Sequence, residues 1–161
     1  MTFAGAEGGC DCGKIRYRLE AEPIVLKCCH CHACQRQSGS AFALNLVIET
    51  ANVALLGEAP EVVEMATLSG HGQANARCPH CRVSVWSTFH QAGDKARFVR
   101  AGTLDETRGL VPDLHIFTKA KQDWVVIPEG AEAFEAFYRG KDVVRVFGAE
   151  NAARWKAVLE R

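Results

Sequence analysis

Cys29-His30-Cys31-His32-Ala33-Cys34, entered from the apolar run Ile24-Val25-Leu26 and left through Gln35-Arg36-Gln37-Ser38-Gly39, is the stretch that decides how this 161-residue chain is read. Three cysteines within six residues are a chelate spacing, because thiolates presented from one turn can wrap a single soft cation. Two pairs flank the triplet, Cys10-x-Cys12 and Cys78-x-x-Cys81, and an eighth cysteine, Cys28, adjoins it. The opening Met1 to Gly9 has neither the basic nor the apolar segment of a secretory signal, so a cytoplasmic setting is expected. Thiols stay reduced there, and clustered cysteines point to metal ligation before disulfides.

The count suggests how the ligands divide. Seven clustered cysteines are one short of two four-thiolate tetrahedra. If Cys10, Cys12, Cys78 and Cys81 close one, they tie the N-terminal turn to a hairpin more than about sixty residues away and hold a structural zinc. Cys29, Cys31 and Cys34 then hold a second zinc with an exchangeable fourth position, the pattern of catalytic sites. Cys28 is an available fourth ligand that would close this site, although adjacent cysteines would have to bend toward one ion. His30, His32 and His80 are read as solvated or supporting residues with no direct ligation. A dithiol redox centre lacks its βαβ setting, and an iron–sulfur cluster lacks its run of four cysteines and proline.

The remaining sequence frames these groups. Lys+Arg 19 against Asp+Glu 19, with 48% hydrophobic and 24% charged residues, describes one globular domain with no electrostatic footprint for nucleic acid. No apolar run is long enough for a membrane span. Alternation predicts strands at Lys14–Leu19 and Ala43–Ile48. Others are expected at Ile24–Lys27, Val53–Leu56, Val62–Ala66, Val83–Phe89, Arg97–Ala101, Leu114–Thr118 and Trp124–Ile127. Ser69-Gly70-His71-Gly72-Gln73 reads as a hairpin turn. Helical periodicity is confined to Ala131–Tyr138 and Gly148–Glu160. The expected fold is mainly antiparallel β with short C-terminal helices: one domain over 1–161, with 1–140 the core and 141–161 a helical extension. Trp86, Trp124 and Phe117 are expected in the core.

Gly8-Gly9-Cys10-Asp11-Cys12-Gly13-Lys14, the Cys29–Gly39 segment and Arg77-Cys78-Pro79-His80-Cys81 together resemble the glutathione-dependent formaldehyde-activating enzymes, a family that includes centromere protein V. Gly102-Thr103-Leu104-Asp105, Pro112, His115-Ile116-Phe117 and Lys121-Gln122-Asp123-Trp124 extend the likeness over most of the chain. The resemblance implies a small zinc-bearing β-sheet tent, shared with a Rab guanine-nucleotide-release factor. It also implies a structural zinc on the outer pairs, a labile catalytic zinc on the triplet, and condensation of glutathione with formaldehyde to S-(hydroxymethyl)glutathione, in the carbon–sulfur lyase class. Two departures stand out: Arg82 replaces a glycine after the last pair, and Cys28 is an added thiol.

Arg36, Ser38 and Gly39 are candidates to meet an anionic thiol substrate, with a surface charge and a turn as their plainer alternatives. His115 and Asp105 are candidates for proton transfer, with strand-face and turn roles as theirs. The expected partner is a small thiol such as glutathione, with no nucleic acid and no membrane. A non-catalytic, zinc-stabilised binding or scaffold module is the second reading, and a nucleic-acid-binding zinc ribbon ranks below both for want of basic charge.

Overall fold

Leu46-Val47-Ile48 lies in the longest strand among the described residues, and all three side chains are 0% exposed, so this strand is covered on both faces. The computed structural model describes residues 2–67 and 70–160. In chain order its elements are β1 (Glu7–Gly9), β2 (Arg16–Leu19), β3 (Val25–Cys29), α1 (His32–Ser38), β4 (Ala43–Glu49) and β5 (Val53–Leu55). There follow β6 (Glu61–Met65), β7 (Gln73–Arg77), β8 (Ser84–Phe89), β9 (Ala96–Arg100), β10 (Leu114–Ile116), β11 (Glu132–Ala133) and α2 (Val143–Leu159). Eight strands form one sheet in the order β11-β10-β3-β4-β9-β8-β7-β6, and β1-β2-β5 form a small second sheet. The mainly β fold expected from the sequence is present.

Strand periodicity sorts the core into two layers. Leu26, Leu46, Ile48, Trp86 and Val99 face the small sheet, whose Tyr17 and Leu19 are fully buried against them. Val25, Val47, Leu114 and Ile116 face the other way, onto Tyr138, Phe147, Trp155 and Val158. Gly8 and Gly9 let the edge of the small sheet close: a Cβ would stand 2.4 Å from Thr103 O at Gly8 and 2.2 Å from Ile15 O at Gly9.

The structure corrects four expectations. The large sheet is mixed, since β10 runs parallel to both β3 and β11. Ala131–Tyr138 is extended: Phe134, Phe137 and Tyr138 repeat the i, i+3, i+4 spacing of a helix, but Phe134 N–H donates to His115 O, and the carbonyls of Phe134 and Ala136 accept from Thr118 and Phe117. Trp124–Ile127 forms no strand, and Trp124 is 73% exposed rather than core. Trp86 is buried and Phe117 is half-buried against the second layer. The hairpin between β6 and β7 is present, pairing Met65 with Gln73, and Ser69 of its expected turn lies outside the described residues.

Helix α2 begins earlier than its periodicity predicts and breaks at Gly148 (φ 77°), beyond which Ala152, Trp155 and Val158 seal the second layer. No described helix is long and apolar enough to cross a membrane. Arg154 fastens α2 to the sheet, donating from Nε to Glu49 Oε1 (2.8 Å) and from Nη2 to Glu49 Oε2 (2.6 Å). Burial raises the Glu49 pKa, but the Arg154 guanidinium outweighs it and holds the carboxyl below its usual range. A depressed carboxylate stabilises the fold above its unfolded pKa and loses that contribution as pH falls through the folded value. Arg154→Met is expected to cost about 1–2 kcal/mol at pH 7. Thermal melts should show this difference fading below about pH 4; an equal difference at pH 3 would contradict it.

Candidate metal centre

The outer cysteine pairs meet because two turns face one another. Cys10 N–H donates to Ile15 O at 3.1 Å and Cys78 N–H to Val83 O at 2.9 Å, and each turn folds its thiols inward. Ile15 N–H also donates to Cys10 Sγ at 3.2 Å. The sulfurs of Cys10, Cys12, Cys78 and Cys81 all lie within 4.8 Å of one another, with Cys10–Cys12 at 3.5 Å and Cys12–Cys78 at 3.6 Å. A tetrahedron with zinc–sulfur arms of 2.3 Å has edges of about 3.8 Å, so this donor set fits zinc in number, chemistry and spacing. Amide hydrogen bonds at the Val83 turn and from Cys12 bring the Cys81 thiol down to about 6.

Arg82 has φ 66° in the Cys78–Val83 turn, the left-handed conformation a glycine would adopt without strain. The turn keeps its shape and the side chain tolerates the cost, reaching Glu61 at 2.5 Å on the surface.

The triplet is built by the end of β3 and the start of α1. Cys31 is the N-cap of α1, its Sγ accepting from Cys34 N–H at 3.4 Å. That one turn brings Cys29, Cys31 and Cys34 within 4.8 Å, with Cys29–Cys31 at 3.5 Å. Hydrogen bonds from Cys29 and Cys34, together with backbone amides, drive the Cys31 thiol far below its ordinary value, while Cys29 is driven up by the same sharing. The group therefore favours one thiolate even before a cation displaces the remaining protons. Gln35 pins α1 in place by donating to His30 O (2.7 Å) and Ala120 O (2.9 Å).

Cys28 does not join the triplet. It is adjacent to Cys29 in a strand and points to the opposite face. There it lies 3.5 Å from His30 Nε2, which is 3.0 Å from His115 Nδ1, and all three residues are buried. Burial brings His30 down to about 4, and His115 is lowered for the same reason. His115 is thus an inward, not an outward, residue of its strand. Asp105 is remote from the triplet: it accepts a two-pronged contact from Arg16 at 2.7 and 2.5 Å.

A cavity of about 860 Å³ opens beside the triplet, and Cys29, Cys31 and Cys34 form part of its wall. Arg36, Ser38 and Gly39 lie elsewhere. Arg36 is exposed, Ser38 Oγ donates to Cys34 O and Phe42 O, and Gly39 (φ 65°) caps α1. Their neighbour Gln37 does line the cavity and accepts from Arg100 Nη2 at 2.7 Å; Arg100 Nη1 donates to Asn45 Oδ1 at 2.5 Å. Burial lowers the Arg100 pKa against the pull of the Cys34 thiol, with which it hydrogen-bonds. Sequence reasoning missed Arg100 and Lys27. Lys27 left a signal, a charge inside the otherwise apolar Ile24–Cys29 run.

A family model described as glutathione-dependent formaldehyde-activating enzyme matches residues 5–120. A Halomonas elongata protein, whose name gives it that activity as an unproven assignment, is 26% identical over 158 residues, covering 95% of each chain. A crystal structure of a Rhodobacter sphaeroides protein superposes with a TM-score of 0.48 at 15% identity, covering 66% of this chain and 91% of that one.

Three substitutions check the site's construction. Arg82→Gly is expected to raise stability by about 0.5–1 kcal/mol in denaturant titrations, through relief of the left-handed backbone. Cys28→Ala should leave the metal content of the purified protein unchanged, whereas Cys29→Ala should lower it by one equivalent. An equal loss in both would place Cys28 among the ligands.

Proposed function

Because the chain belongs to the glutathione-dependent formaldehyde-activating enzyme family, we propose that it is a zinc-dependent enzyme of the carbon–sulfur lyase type, joining a thiol to an aldehyde and releasing it again. The carrying observation is that the triplet forms part of the wall of the 860 Å³ cavity, whereas the four-thiol group does not line it. In the forward direction a C–S bond forms between the thiol sulfur and the carbonyl carbon. The C=O π bond becomes a hydroxyl, and the thiol proton ends on that oxygen, so glutathione and formaldehyde give S-(hydroxymethyl)glutathione without a redox change.

In this reading Cys10, Cys12, Cys78 and Cys81 hold a structural zinc, while Cys29, Cys31 and Cys34 hold a labile one. Zinc with three protein thiolates keeps an exchangeable position, where it lowers the pKa of a thiol or polarises an aldehyde oxygen. Arg100 supplies the matching charge. Three thiolates and one divalent cation sum to a single negative charge, and the Arg100 guanidinium beside Cys34 neutralises it within the protein. Gln37 and Asn45 hold that guanidinium from the two neighbouring elements, α1 and β4, so its direction is fixed before substrate arrives. The cytoplasm, where thiols are reduced and glutathione is available, is the setting this chemistry needs.

Zinc per chain, measured before and after mild chelation and with glutathione added, tests the division. Two equivalents are expected, one removable under native conditions and perturbed by glutathione. Cys78→Ala should destabilise the fold by more than about 4 kcal/mol. Cys31→Ala should melt near the wild-type temperature with one zinc fewer and no adduct formation from glutathione and formaldehyde, followed by NMR. Two inert zincs indifferent to thiols would instead describe a zinc-stabilised binding module.

A further inference from the structure

Lys27 carries a second inference. Its side chain is 2% exposed, and its Nζ lies between 4.8 and 5.6 Å from the ring centroids of Phe98, Phe137, Tyr138, Phe147 and Trp155. It makes one side-chain hydrogen bond, to Tyr138 Oη at 2.7 Å, and no carboxylate among the described residues pairs with it. Ring faces attract a cation and lessen the cost of burying it, but three N–H donors with one acceptor leave two unsatisfied. Keeping a buried lysine charged without an anion is expensive, and this one lies on the wall of the cavity that the triplet shares. Arg100 is not in this condition, since amide oxygens and Cys34 already hold it.

We propose that the cavity binds an apolar monocarboxylate, its carboxylate seated on Lys27 and its hydrocarbon or aromatic body against Phe98, Phe117, Phe137 and Trp155. The orientation of this ligand rests on the reading of the triplet as the reacting centre. Lys27 and Cys29 are successive positions on one face of β3, about 7 Å apart along the strand. A molecule whose carboxylate meets Lys27 therefore presents a thiol or carbonyl group to the triplet from a few bonds away.

Size and polarity support the assignment. A one-carbon aldehyde would leave almost all of an 860 Å³ cavity empty. The inner wall offers Lys27 as a cation that no carboxylate of the described residues meets, set among aromatic rings, which matches one carboxylate on an apolar body. Of the rings in this wall, Phe89, Phe98 and Phe117 lie within the family match and Phe137, Tyr138 and Trp155 follow residue 120, where it ends.

Calorimetric titration of the metal-loaded protein with 3-phenylpropionate, 3-phenyl-1-propanol and acetate tests the proposal. The carboxylate is expected to bind at least tenfold more tightly than the alcohol, and acetate, lacking the apolar body, not measurably. Lys27→Met should erase the preference for the carboxylate while the alcohol binds as before, which also reports that the cavity is intact. Cys31→Ala should lose its metal and keep the preference, so a failure of the zinc assignment is visible separately. The proposal is overturned if wild type binds acid and alcohol equally or neither, or if Lys27→Met retains the preference. Loss of the preference in Cys31→Ala alone would also overturn it, because the anion would then sit on the metal.

Discussion

The two-residue period of β3 is the constraint on which the rest depends. It sends Val25, Lys27 and Cys29 to one face of the sheet and Leu26 and Cys28 to the other. One face thereby acquires a cavity with a thiol at its rim and a lysine on its wall, while the other keeps an apolar layer and a buried Cys28–His30–His115 ladder. Moving the register by a single residue would exchange these environments wholesale, placing Cys28 among the rings and Lys27 in the packed layer. Pairing on both sides, antiparallel to β4 and parallel to β10, holds the register fixed.

What the sequence made legible was whatever is encoded at short range. The thiol spacings and the strand alternation around Tyr17 and Leu46 are local properties, and each has its counterpart in the structure. What stayed hidden depends on contacts distant along the chain. Phe134, Phe137 and Tyr138 carry a helical spacing, yet their backbone serves the edge of the sheet because β10 offers it partners. Trp124 is apolar in type and outward in fact, since the turn at Gln122–Val125 is held by Lys121 and the Val125 N–H rather than by packing. Arg100, Gln37 and Asn45 come from three separate elements, and their convergence follows from the pairing of β4 with β9 and from the seat of α1.

The charges are distributed by the same logic. Carboxylates and guanidiniums on the outer surface meet one another in ordinary pairs, such as Arg16 with Asp105 and Arg145 with Glu132. On the cavity wall, Arg100 and Lys27 have no carboxylate partner among the described residues: Arg100 is held by amides and a thiol, and Lys27 by a phenol and ring faces. In the proposed reading a metal at the thiols and a carboxylate on Lys27 would complete this charge balance.

The meeting of Cys12 with Cys78 across 66 residues also sets an order of events during synthesis. A chain emerging from the ribosome presents its first six thiols well before Cys78 and Cys81 exist to complete the outer group. The triplet, compact in sequence, can take a cation early; the four-thiol group cannot, and β3 cannot gain β10 until still later. Closure of the four-thiol group therefore waits on residues made seconds later, at about 5–20 residues per second. During that interval Cys10 and Cys12 are open to oxidants, which makes the nascent chain more dependent on a reducing environment than the folded protein is.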